Sequence, residues 1–157
     1  METGKDERSS RLNRSSLSKF LASGRSQKRD SLRVLVVSET EDTRTWIQQV
    51  AESRGVRATV EDGTDEAIVN LTIEDPPDLV LVDALDDPES LESIEPFVVY
   101  LRLNCSDSRI ALMASPGVAC RLAESLTDDS VIVLRTPVER ADIVNLITLI
   151  QLADARH

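Results

Sequence analysis

The sequence predicts a three-layer α/β fold over residues 32–157, a parallel sheet of five strands between two layers of helices. Three observations lead there. From residue 32 onward, short apolar runs alternate with segments of helical period, the order that parallel βαβ units require. The run "DLVLV" (78–82) is apolar at successive positions, which suits a strand buried on both faces rather than one with a wet side. Breakers fall between the runs, with Gly55 after the first helical segment and Pro76-Pro77 after the second.

Each element follows from its residues. "RVLVVS" (33–38) is a buried strand, and "TEDTRTWIQQVAESRG" (40–55) a helix with Trp46, Ile47, Val50 and Ala51 on one face, acids early and Gly55 as its C-terminal cap. "VRATVE" (56–61) alternates like an edge strand. Thr64-Asp65-Glu66 opens a second helix carrying Ala67, Ile68, Leu71 and Ile73. "DLVLVD" (78–83) is the third strand, and "PESLESIEPFVVYLRLN" (88–104) a third helix that Pro96 should kink or split. "RIALMAS" (109–115), "PGVACRLAESL" (116–126), "SVIVLR" (130–135) and "ERADIVNLITLIQLAD" (139–154) complete five strands and five helices.

Composition sets limits on function. A chain of 157 residues with 41% hydrophobic content can bury a core as one domain without disulfides. Cys105 and Cys120 lack the spacing of a metal or redox site and read as reduced thiols. No membrane span and no secretory signal is evident, so the expected location is the cytoplasm and the sequons at Asn70 and Asn104 are chance. Residues 1–31 hold 8 Lys/Arg against 4 Asp/Glu, a net +4, and read as a disordered basic leader. Such a leader suits an acidic partner or a membrane surface, with serine phosphorylation near Arg14-Ser15-Ser16 as a switch, or it is a plain solvated linker. Residues 32–157 hold 10 Arg, no Lys and 24 Asp/Glu, a net −14, which argues against nucleic-acid binding by the domain itself.

The residues that close the strands carry the chemistry. Asp83 ends strand three, Ser38-Glu39 ends strand one, Ser115 ends strand four, and Arg135-Thr136-Pro137 ends strand five. In an open α/β sheet ligands bind at these carboxyl ends. The landmarks lie 44, 32 and 21 residues apart from Glu39 to Asp83 to Ser115 to Thr136. In this order and spacing they resemble the receiver domain of two-component response regulators, over residues 32–154. The resemblance implies a flavodoxin-like (CheY-like) three-layer sandwich with strand order 2-1-3-4-5. It makes Asp83 the candidate phosphoacceptor, with Ser115 and Thr136 as candidate switch positions. Any Mg²⁺, the one cofactor it brings in, falls to Glu39 and Asp83.

Two charged groups of the family pattern are replaced. Ser38-Glu39 stands where the family has an acidic pair, and Thr136 where it has a lysine. Mg²⁺ demands near-octahedral oxygen geometry, so losing one acid and lengthening the other weakens that site. The chain is therefore similar to a degenerate pseudo-receiver. Its expected role is a non-catalytic signalling module that binds protein. The alternative is a working receiver phosphorylated on Asp83 with Mg²⁺. Locally, Asp83 also reads as a structural strand-end acid, Ser115 before Pro116 as a helix N-cap, and Asp86-Asp87 as solvated loop acids. Candidate interface residues, by the resemblance, are Val133, Arg135, Val144, Leu149 and Leu152, with a homodimer through the last helix as one form of the protein partner. The run "IEPFVVYLRL" holds more apolar residues than one core face accepts, so part of it needs another cover.

Overall fold

Successive Val and Leu residues in a short run have no wet side to offer, and in the computed structural model "LVLVD" lies at the middle of the sheet, covered on both faces. The structure describes residues 14–24, 31–84, 88–126 and 130–155. The strands are β1 (Arg33–Val37), β2 (Arg57–Glu61), β3 (Leu79–Asp83), β4 (Arg109–Ala114) and β5 (Ile132–Arg135). All pair in parallel, in the order β2-β1-β3-β4-β5. The helices are α1 (Arg14–Ala22), α2 (Glu41–Ser53), α3 (Thr64–Ile73), α4 (Pro88–Asn104), α5 (Pro116–Ser125) and α6 (Arg140–Ala155).

Strand alternation divides the core in two. Val80 and Val82 meet α3, α4 and α5 on one face, with Ala67, Phe97, Leu101 and Leu122. Leu79 and Leu81 belong to the other face, with Ile47 and Val50 of α2 and Ile143 and Ile147 of α6. At the amino end of the sheet, buried Asp78 accepts a 2.8 Å hydrogen bond from the Arg33 N–H through Oδ2. Gly55 stands past the end of α2 at φ +76, the left-handed geometry that ends a helix at little cost only in glycine.

Three expectations are corrected. Residues 14–24, assigned to a structureless leader, form α1 and its exit, because Phe20 is 0% exposed and Leu17 and Leu21 pack beside it in the second core cluster. Residues 1–13 and 25–30 lie outside the described residues, as do the side chains of Ser15 and Ser16. α4 is one helix of 17 residues through Pro96 rather than two. Pro96 and Glu92 are both exposed, so the carbonyl at position 92 that proline leaves without a partner lies on the solvent side. Ile73, expected in the core, is 76% exposed at the last turn of α3. Trp46 shares the face of Ile47 as expected, half-buried against the second core cluster.

Candidate functional site

β1 and β3 run side by side with Val37 opposite Val82, so the next residues, Ser38 and Asp83, reach the same level at the carboxyl end of the sheet. Ser38 Oγ donates a 2.8 Å hydrogen bond to Oδ2 of Asp83. The competing contact from this hydroxyl to the Thr40 carbonyl is 3.5 Å, and a serine has one proton, so the carboxylate takes it. Ser38 is held on every other side. Its N–H donates to the Glu61 carbonyl at 3.0 Å, its Oγ accepts the Thr40 N–H at 3.1 Å, and its carbonyl accepts Nη1 of Arg44 at 2.6 Å. A buried serine this well anchored is a fixed donor aimed at Asp83.

Asp83 itself is half-buried. Burial pushes its carboxyl above the usual carboxylate range, and the Ser38 hydrogen bond draws it part of the way back. Beside it opens a cavity of about 180 Å³ lined by Ser38, Glu39, Asp62, Asp65, Glu66 and Asp83 among others. Five of these six are acids. Glu39 lines this cleft, although its side chain is exposed. Among the described residues, no group of three or more His, Cys, Asp or Glu side chains could hold a metal ion.

Ser115 and Thr136 arrive at the same end of the sheet and do not line that cavity. Ser115 follows Ala114 and caps α5, its Oγ accepting the Val118 N–H at 3.4 Å with Pro116 opening the helix. Thr136 continues β5, its N–H donating to the Ala114 carbonyl at 2.9 Å. Arg135 is half-buried and falls by alternation on the side of Val133. Val133 packs on the first core cluster and Val144 on the second, so both are less available to a partner than expected. Leu149 is half-buried and Leu152 is 55% exposed. On α4, Phe97, Val98 and Leu101 are buried while Val99 is exposed, so one core does not take the whole run. Asp86 and Asp87 lie outside the described residues.

Three residues escaped sequence reasoning. Ser38 counted there only as a missing acid, and Arg44 was not singled out. Arg109 opened a strand. It is in fact 1% exposed, and it donates to the Leu21 carbonyl from Nε at 3.0 Å and Nη2 at 2.8 Å and to the Asp154 carboxylate from Nη2 at 2.7 Å.

No protein-family model matches the sequence, and no curated protein matches it. Solved structures do match the fold. A response regulator receiver protein from Pseudomonas putida is 22% identical, over 77% of this chain and 98% of its own, with a TM-score of 0.63. A response regulator receiver domain protein from Clostridium thermocellum is 17% identical, over 80% and 95%, with a TM-score of 0.66. The beryllofluoride-activated NtrC4 receiver domain dimer, a solution structure, is 18% identical, over 79% and 97%, with a TM-score of 0.58. The fold is therefore that of response regulator receiver domains, in the strand order expected.

Proposed function

We infer that this chain, folded as a receiver, is a pseudo-receiver: a signalling module that acts by binding protein rather than by chemistry at Asp83. The observation that carries the reading is the Ser38–Asp83 hydrogen bond. A phosphoacceptor aspartate must attack as the anion, and the charge of the incoming phosphoryl group must be held by a cation, a hydroxyl and an ammonium. Here the hydroxyl of Ser38 takes up one carboxylate oxygen where a second acid would recruit a metal ion. The residues present do not fit Mg²⁺, since Glu39 is exposed and, among the described residues, no group of three candidate ligands converges. Thr136, at the position where an ammonium is needed, brings no positive charge.

The protein-binding surface of this reading is α6 with the edge strand β5. Leu152 and Leu149 supply its apolar part and Arg135 its charge. The likeness to a receiver that forms a dimer supports a protein partner.

A second reading, a phosphoacceptor at Asp83, is favoured by the position of that residue at the end of β3 and by the likeness to a receiver activated with beryllofluoride. Intact mass separates the two. The full chain and its Asp83→Asn variant are incubated with Mg²⁺ and acetyl phosphate. We expect no phosphoryl adduct on either; an adduct on the parent that the variant lacks makes Asp83 a switch and sinks the pseudo-receiver reading.

A further inference from the structure

α1 packs against β4, β5 and α6, on the flank of the second core cluster. Its apolar side chains Leu17, Phe20 and Leu21 stand at i, i+3 and i+4, one stripe of a helix, with Phe20 wholly buried as the anchor. Arg109 meets the other end. Two of its nitrogens converge on the Leu21 carbonyl, in the last turn of α1, while Asp154 of α6 holds the guanidinium in place. A buried charge aimed at a main-chain carbonyl reads the end of a helix, whatever its sequence. The chain then leaves through a slot that only glycine passes, since a Cβ on Gly24 would lie 2.3 Å from the Asp107 carbonyl oxygen.

The occupant is weakly held by its own structure. A helix of nine residues is too short to persist alone in water, so α1 folds only while it is seated. Its loss breaks none of the strand pairings, which run from β2 to β5 without it, and Arg109 keeps its partner Asp154. Charge favours the seat as well. Residues 32–157 carry the −14, whereas α1 has no acid in its first turn and shows Lys19 on its exposed side.

We propose that the groove of β4, β5 and α6 with Arg109 at its end is a helix-binding seat. α1 is its removable occupant, and the partner that replaces α1 is an amphipathic helix with apolar residues at i, i+3 and i+4 and a neutral or basic outer face. This rests on the reading of the chain as a protein-binding module and gives that partner a chemistry.

Two measurements on the full chain test it. In native-state hydrogen exchange, the amides of residues 20–23 should exchange at least about 100-fold faster than those of β4, and Gly24→Ala should speed them further while leaving β4 unchanged. A fluorescent peptide of residues 12–24 is then titrated against the parent, Gly24→Ala and Phe20→Ala chains, and a peptide carrying Phe20→Ala serves as control. The native peptide should bind the two variants at least about tenfold more tightly than the parent, and the control peptide should bind none of them. Equal protection of α1 and β4 overturns the proposal, making α1 a permanent part of the core. So does a peptide that binds parent and variants alike, or binds neither variant while β4 protection shows both folded. A phosphoryl adduct at Asp83, which would sink the reading of that site, changes none of these outcomes.

Discussion

Ser38 and Asp83 show how one substitution changes what a carboxylate does. Asp83 was legible in the sequence because a parallel strand buried on both faces must end somewhere, and it ends on that acid. The cap role of Ser115 was legible too, since Ser before Pro is a local signal. The Ser38–Asp83 bond was not, because its partners are 45 residues apart and meet only through the register of β1 on β3. Its energetics give a pH test. The folded value of Asp83 lies above its ordinary 3.8, so the folded chain holds that proton more tightly than the unfolded chain does. The contribution therefore favours folding below 3.8 and is lost as pH rises through the folded value. Asp83→Asn stays neutral throughout and can still accept from Ser38. In urea melts we expect the variant to be the more stable chain at pH 7 and the difference to vanish below about pH 4.

Among elements, α4 and α1 depart most from what periodicity suggested. Proline in a helix interior costs one hydrogen bond and pushes on the preceding turn, so a split was the natural expectation at Pro96. The apolar stripe overrides it. Ile94, Phe97, Val98, Leu101 and Cys105 recur at i, i+3, i+4, i+7 and i+11 and all are buried, while the break falls on the wet side. Pro96→Ala should then return a hydrogen bond without touching the core. We expect a gain of about 1–3 kcal/mol by denaturant titration, and a loss would mean that proline shapes the packing of Phe97. α1 was hidden for another reason. Its surroundings are so rich in Ser and Arg that composition outweighed the spacing of Leu17, Phe20 and Leu21, which was the available signal. Arg109 was illegible even in principle from local pattern, because the carbonyl it reads belongs to a residue 88 positions away.

At the scale of the molecule, strand number and sequence boundaries came from hydrophobic period, whereas strand order came from the resemblance and is observed as such. Composition shifts at residue 31, yet the packed unit already includes Phe20. β4 spans both ends of the molecule, with Arg109 at one tip and Ser115 just past the other. The close passage of Gly24 over Asp107 bears on how this protein survives trimming. A chain begun at residue 32, where charge and composition invite the cut, would keep its sheet and lose its own plug. Left with an oily slot that Phe20 used to fill, such a fragment should stick to itself, sedimenting as a concentration-dependent oligomer that the peptide of residues 12–24 returns to single chains. Shelf life and solubility of this acidic protein would then hang on one short basic stretch at its start.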